Sequence, residues 1–192
     1  MSSNNYTIVI SGLGGQGLVK LLQILGNAIM INGYEVITSE THGLSQRGGK
    51  VICFIRFGNS LNSPIPLIGT ADMIIALEES CILDALKYAK PNKTTKIILS
   101  SYEKQVLGTK YPSVDYILNE IYKISDFIYV IPLNDIALKH TETIKTMNSV
   151  LLGYLLKFLS IDEKDIEKSL AINFSGMMLE LNIKAFNEGL KL

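Results

Sequence analysis

Tyr6-Thr7-Ile8-Val9-Ile10-Ser11-Gly12-Leu13-Gly14-Gly15-Gln16-Gly17 is the stretch that decides the fold. Its first half is β-branched and apolar and runs into glycine, the pattern of a buried strand. Leu18, Leu21, Leu22, Leu25, Ala28 and Ile29 then recur at helical spacing. Asn32-Gly33 supplies a C-terminal stop, and residues 34–39 are strand-like again. This is a Rossmann-like N-terminal βαβ unit with the pattern G-x-G-x-x-G at Gly12, Gly14 and Gly17. Glycines let the backbone turn tightly and approach a ligand closely. The N–H groups at the helix start, helped by the helix dipole, then face an anion such as a phosphate, pyrophosphate or carboxylate. A bare tight turn that binds nothing explains the same glycines, and this motif alone leaves the two readings level. In the dinucleotide fingerprint an acid ends the second strand and takes the ribose; Glu40 stands roughly there, somewhat late.

Outward from that unit, strand and helix alternate. Residues 51–57 form a third strand interrupted by Arg56, which is expected near an edge or an interface. A loop with Pro64 and Pro66 leads to a buried strand over residues 71–77. Glu78-Glu79 opens a helix bearing Ile82, Leu83, Leu86 and Ala89 that ends before Pro91. Acids in a first turn complement the dipole, which outweighs a catalytic reading of them. Residues 96–100 form a strand, 114–124 a helix and 127–131 a last strand. From residue 134 onward the pattern is helical: a short helix over 134–140, a strongly apolar one over 148–159 with its centre covered on all sides, a third opened by a capping box at Ser160, and a last one capped by Ser175. The expected class is α/β, an open, mostly parallel sheet flanked by helices with a helical C-terminal part, in a single domain over residues 1–192.

Composition narrows the function. Lys+Arg and Asp+Glu number 18 each, so no global field invites nucleic acid or an acidic membrane. Apolar runs are short and broken, and the first residues carry no secretion signal, so a cytoplasmic protein with no membrane segment is expected. Two cysteines, Cys53 and Cys81, cannot hold a four-thiolate cluster or a zinc knuckle. They are most simply small core residues, with a disulfide between them as the minor possibility. His140, near a helix end, is expected to be structural or solvated.

Between the second and third strands stands Glu40-Thr41-His42-Gly43-Leu44-Ser45-Gln46-Arg47-Gly48-Gly49. It is longer than a plain hairpin needs. It gathers an acid, an imidazole, an amide, a guanidinium and three glycines, groups that bind anions and move protons. A solvated loop is the plainer alternative.

Together the two glycine-bearing motifs resemble the gamma domain of 2-oxoacid:ferredoxin oxidoreductases, and most closely the small (beta) subunit of the indolepyruvate type. Ala71-Asp72 with Glu78, the Asn-x4-Gly spacing of Asn148 and Gly153, and Asn182 with Ala185-Phe186 and Gly189 extend the resemblance over nearly the whole chain. It implies one subunit of a hetero-oligomer that decarboxylates a 2-oxo acid, here an aryl pyruvate, to an acyl-CoA with ferredoxin as electron acceptor. Thiamine diphosphate, Mg2+ and iron–sulfur clusters would belong to a large alpha subunit, since Gly-Asp-Gly followed by Asn-Asn and the cluster ligands are absent here. This chain alone would not turn over. The resemblance places a coenzyme A phosphate or another anion at the N–H groups of Gly14, Gly15, Gln16 and Gly17. It gives Arg47 a bidentate hold on phosphate or carboxylate, Gln46 a hydrogen bond to it, and His42 a proton or hydrogen bond near the acyl centre. Docking of the loop onto the large subunit accounts for the same residues. Two rivals stand beside this reading: a free-standing dinucleotide-binding oxidoreductase using Gly12, Gly14, Gly17 and Glu40, and a non-catalytic structural subunit of the same complex.

Overall fold

A computed structural model describes residues 5–41, 49–59, 61–104 and 111–192. Its centre is a six-stranded sheet: β1 (Tyr6–Leu13), β2 (Glu35–Thr41), β3 (Lys50–Gly58), β4 (Met73–Ala76), β5 (Lys96–Ser100) and β6 (Phe127–Ile131). The strands lie in the order β2-β3-β1-β4-β5-β6. β1, β4, β5 and β6 are parallel neighbours. β3 runs antiparallel to both β1 and β2, with Ile10 opposite Cys53 and Cys53 opposite Glu40. β1 and β2 therefore run the same way, joined by helix α1 (Leu18–Ile31), but β3 lies between them. The expected βαβ unit is present in split form. Arg56 sits on β3, one strand in from the edge, and donates to the Ser63 carbonyl.

Alternation along the strands builds a core on each face. Ile8, Ile10, Cys53, Ile55 and Ile75 face α1 and the C-terminal helices; Val9, Phe54, Ile74, Ile97 and Leu99 face Ile82, Ile117 and Ile121. Strands buried on both faces read as continuous apolar runs, which is why β4 and β5 were legible. α1 ends as expected. Gly33, at φ +94°, donates to Met30 and Tyr34 donates to Ile29, the paired bonds of a Schellman stop.

The helix expected from Glu78 to Ala89 is instead three short pieces: a 3-10 turn Glu79–Cys81, α2 (Ile82–Ala85) and a second 3-10 turn Leu86–Tyr88. The Gly69 and Ala71 N–H groups donate to the Lys87 and Tyr88 carbonyls, and Ala71 bridges Ala89, which ties the end of this segment to the chain entering β4. α3 (Val114–Ile124), capped by Ser113, crosses to β6. Then follow α4 (Leu133–Thr141), a 3-10 turn Ile144–Thr146, α5 (Met147–Leu155), α6 (Glu163–Asn173) and α7 (Gly176–Leu190). α5 is the most enclosed, with Val150, Leu151, Leu152 and Leu155 at 0% exposure. α6 begins later than a cap at Ser160 would have it: Asp162 is its N-cap residue and makes no side-chain cap bond. Ser175 stands at the N-cap of α7, again without a side-chain bond.

The C-terminal ends of β1, β2, β4, β5 and β6 share one edge of the sheet. From β1 the chain continues to strands on one side and later to strands on the other, so the crevice beyond β1 and β4 is where open α/β sheets bind ligands.

Candidate functional site

The glycine turn closes β1 at that edge. The Gln16 N–H donates to the Leu13 carbonyl at 3.1 Å, and the Gly14 N–H donates to Gly49 at 2.9 Å. The Gln16 side chain folds back into the turn, where Oε1 accepts from the Leu13 N–H at 2.6 Å and Nε2 donates to the Leu77 carbonyl at 3.0 Å. Gln16 is therefore the keystone that ties β1 to the end of β4. The backbone N–H groups of Gln16 and Gly14, both candidates for an anion, are engaged by the protein itself. The amides left for a ligand are those of Gly15, Gly17 and the first turn of α1, where helix geometry provides no intrahelical acceptor. Gly17, at φ +75°, is the N-cap residue of α1. A Cβ there would also meet Asn148 Nδ2 at 2.9 Å. That amide nitrogen donates to the Gln16 and Gly17 carbonyls at 2.9 and 3.3 Å, clamping the turn to the start of α5. Gly12 is equally confined, since a Cβ would fall 2.7 Å from Gln16 Oε1.

The turn forms one wall of a cavity of about 610 Å³, within the size range of small-molecule sites. Three lysines line it, Lys20 from α1, Lys104 from the segment after β5 and Lys145 from the 3-10 turn before α5, and no Asp or Glu does among the described residues. Asn134 Oδ1 and Asn148 Oδ1, on the same lining, are buried without a hydrogen-bond donor. Ser149 Oγ donates to Asn182 Oδ1 at 2.6 Å beneath them, joining α5 to α7. The cavity thus offers cations and helix-start amides to an anion, while the two amide oxygens are turned in beneath its surface. Sequence reasoning missed the lysines. One signal was available: Lys20 sits in the first turn of α1, which has no acid, where the dipole disfavours a cation.

His42, Gln46 and Arg47 lie outside the described residues. Thr41 ends β2, and Gly49 is bonded to Gly14, so both ends of their segment are fixed at the edge that carries the glycine turn. Glu40 is not placed for a ribose. In the dinucleotide fold the second strand lies beside the first; here β3 holds that position and Glu40 stands two strands, roughly 10 Å, from β1. Instead its charge, added to burial, helps push the Cys53 thiol up to about 12.

Beyond β4, the fully buried Glu78 caps the 3-10 turn, accepting from Cys81 N–H at 3.1 Å and Ser80 Oγ at 2.7 Å. Burial pushes its carboxyl up, but the bonds from Tyr111, Ser80, Cys81 and the Lys104 N–H together carry it below the ordinary range. Glu79 goes the other way, raised by burial and by the charges of Glu103 and Glu78, and its Oε2 has no donor. Both cysteines are free and buried, and no disulfide joins them. His140 Nδ1 stands 3.6 Å from Glu188 on α7, a structural pairing. Among the described residues no group of three or more His, Cys, Asp or Glu could hold a metal ion, and no helix is long and apolar enough to cross a membrane.

The family model for pyruvate ferredoxin/flavodoxin oxidoreductases matches residues 7–192. The chain belongs to this family. Among members of the pyruvate ferredoxin/flavodoxin oxidoreductase family it is 35% identical over 190 residues to the indolepyruvate oxidoreductase subunit IorB of Archaeoglobus fulgidus, covering 95% of this chain and 92% of that one. Two solved structures share the fold at 21% identity. The keto/oxoacid ferredoxin oxidoreductase gamma subunit of Geobacter sulfurreducens superposes with a TM-score of 0.72, covering 98% of this chain and 96% of that one. The 2-oxoglutarate:ferredoxin oxidoreductase of Magnetococcus marinus, solved with 2-oxoglutarate, coenzyme A and succinyl-CoA bound, superposes with a TM-score of 0.76; all of this chain corresponds to 31% of that longer one.

Proposed function

We propose that this chain is the small subunit of an indolepyruvate-type 2-oxoacid:ferredoxin oxidoreductase. It acts only in a hetero-oligomer with a large subunit, and its part is on the coenzyme A side of the reaction. The observation that carries this reading is the end-to-end match to a subunit named for indolepyruvate oxidation. The cavity supports it. Coenzyme A brings phosphates, which complement the three lysines and the start of α1.

The iron–sulfur clusters of such a reaction do not fit the described residues. Iron–sulfur clusters need thiolates, whereas Cys53 and Cys81 are sealed in the core with both thiols pushed up by burial. The clusters are therefore assigned to the large subunit, where the family resemblance also puts thiamine diphosphate and Mg2+, and no step is routed through this chain's cysteines. Coenzyme A supplies the thiol that receives the acyl group. The residues here bind and orient it: Lys20, Lys104 and Lys145 hold its phosphates, and the Gly15 and Gly17 amides share that load. On residues 42–48, Arg47 and Gln46 hold an anionic group, and His42 donates a proton or hydrogen bond near the acyl centre.

The test is purification of the native complex followed by 2-oxo-acid-dependent reduction of a viologen dye. A thiamine- and cluster-bearing partner with coenzyme A-dependent activity on aryl pyruvates is expected; a homodimer or monomer lacking that partner overturns the reading. In the same assay Arg47→Ala should raise the KM for coenzyme A. An unchanged KM with weakened assembly would instead make residues 42–48 a docking segment.

A further inference from the structure

Glu78 is a carboxylate at 0% exposure, two residues past the end of β4 on the ligand-bearing edge of the sheet. Removing a carboxylate from water costs several kcal/mol unless hydrogen bonds replace the lost hydration. A cap for the 3-10 turn Glu79–Cys81 uses only one of its oxygens, Oε2, which receives Ser80 Oγ and the Cys81 N–H. The other oxygen is not explained by capping. Oε1 accepts from the Lys104 N–H at 3.4 Å and from the Tyr111 hydroxyl, donors 26 and 33 residues away in sequence. Next to it, the Glu79 N–H donates to the Tyr102 carbonyl at 3.0 Å. The elbow after β4 thus grips residues 102–104 at two points, and Tyr111 at a third. Tyr102 and Lys104 line the cavity. The other two lysines are carried on helical elements, Lys20 on α1 with an Asn173 contact at 3.3 Å and Lys145 in the 3-10 turn before α5. Residues 101–104 belong to neither helix nor strand, so Lys104 depends on such tethers for its place.

We propose that Glu78 is a positioning residue for coenzyme A binding: through the Lys104 N–H and the Tyr111 hydroxyl, its buried carboxylate holds Lys104 in the cavity wall as a phosphate-binding cation. This rests on the coenzyme A reading of the cavity. Glutamine in place of Glu78 keeps the shape but removes the charge and presents an N–H to donors that need an acceptor.

The experiment uses the assembled enzyme and reads the KM for coenzyme A against kcat. Glu78→Gln and Lys104→Met should each raise that KM by about tenfold, with kcat at saturating coenzyme A within about twofold of the parent. The double variant should be no worse than Lys104→Met alone, whereas Glu78→Gln combined with Lys145→Met should multiply. Tyr111→Phe leaves the local cap intact and should raise KM less, again without adding to Lys104→Met; it carries the test if Glu78→Gln does not assemble. Multiplicative effects of Glu78→Gln (or Tyr111→Phe) and Lys104→Met, or an unchanged KM in the former while Lys104→Met raises it, would overturn the proposal. If Lys104→Met and Lys145→Met both leave KM unchanged, the cavity does not bind coenzyme A; the proposal falls with that reading, through a result distinct from its own failure.

Discussion

Cys53 lies in the middle of β3 with both faces of the sheet covered, and Cys81 closes a 3-10 turn against the core; they are 0% and 1% exposed. Burial is the largest cause that pushes both thiols up, followed for Cys53 by the Glu40 charge and for Cys81 by Glu78. Thiolate is the reactive form, so access and protonation both suppress reaction. With the chain folded at neutral pH, Ellman's reagent should find neither thiol, and in denaturant it should find two; rapid labelling of either one in the native protein would contradict this packing. At this scale the sequence was a partial guide. Spacing located the glycines, because turn chemistry is local; the clamp residue Asn148 stood out only through the family resemblance, since its partners are 132 and 131 residues away. Spacing did not show that the Gln16 side-chain amide bonds Leu13 and Leu77, since the end of β4 is 61 residues away in sequence and only the sheet order brings it there. It passed over Lys20, Lys104 and Lys145 because a lysine on a polar helix face or loop has no pattern of its own; only folding makes the three converge.

Among the elements, α5 and α7 show how spaced small residues become an interface. A Cβ on Gly153 would fall on the Phe186 carbonyl oxygen and within 2.8 Å of the Leu190 nitrogen; one on Gly189 would fall on the Val150 carbonyl oxygen. These neighbours are backbone atoms, which have no rotamer to escape into. Gly189→Ala gains about 1 kcal/mol of helix propensity, but forcing the helices apart costs on the order of 3 kcal/mol, so the substitution should destabilise. Because Asn148, Ser149 and Asn182 sit on the same two helices and line the cavity, the KM for coenzyme A should rise as well. Thermal melting beside a KM measurement on the same preparation checks both, and a raised melting temperature would mean that the helices do not meet at these glycines. The element boundaries that were legible in sequence, α1 with its Gly33 stop and the apolar β4, β5 and α5, rest on local periodicity. The insertion of β3 between β1 and β2 was not legible, because it depends on partners distant in the chain, such as Gly12 opposite Val51.

For the molecule as a whole, 18 basic side chains balance 18 acidic ones. Long-range attraction of an anion therefore cannot come from net charge. It must come from segregation, three lysines and the start of α1 around a cavity without an acid among its described lining residues. Exposed charges more than a screening length apart are uncoupled by salt, and that length falls from about 10 Å at 0.1 M to about 3 Å at 1 M. The KM for coenzyme A should consequently rise over that range of KCl, with a dye rather than ferredoxin as acceptor so that protein–protein steering does not enter. Lys20→Met should start from a higher KM and climb less steeply, because one of the screened partners is already gone. Parallel salt dependences in the two enzymes would take Lys20 out of the anion site. A KM indifferent to salt would remove the electrostatic account of the cavity altogether and leave the short-range hydrogen bonds of the glycine-turn amides as what holds the ligand.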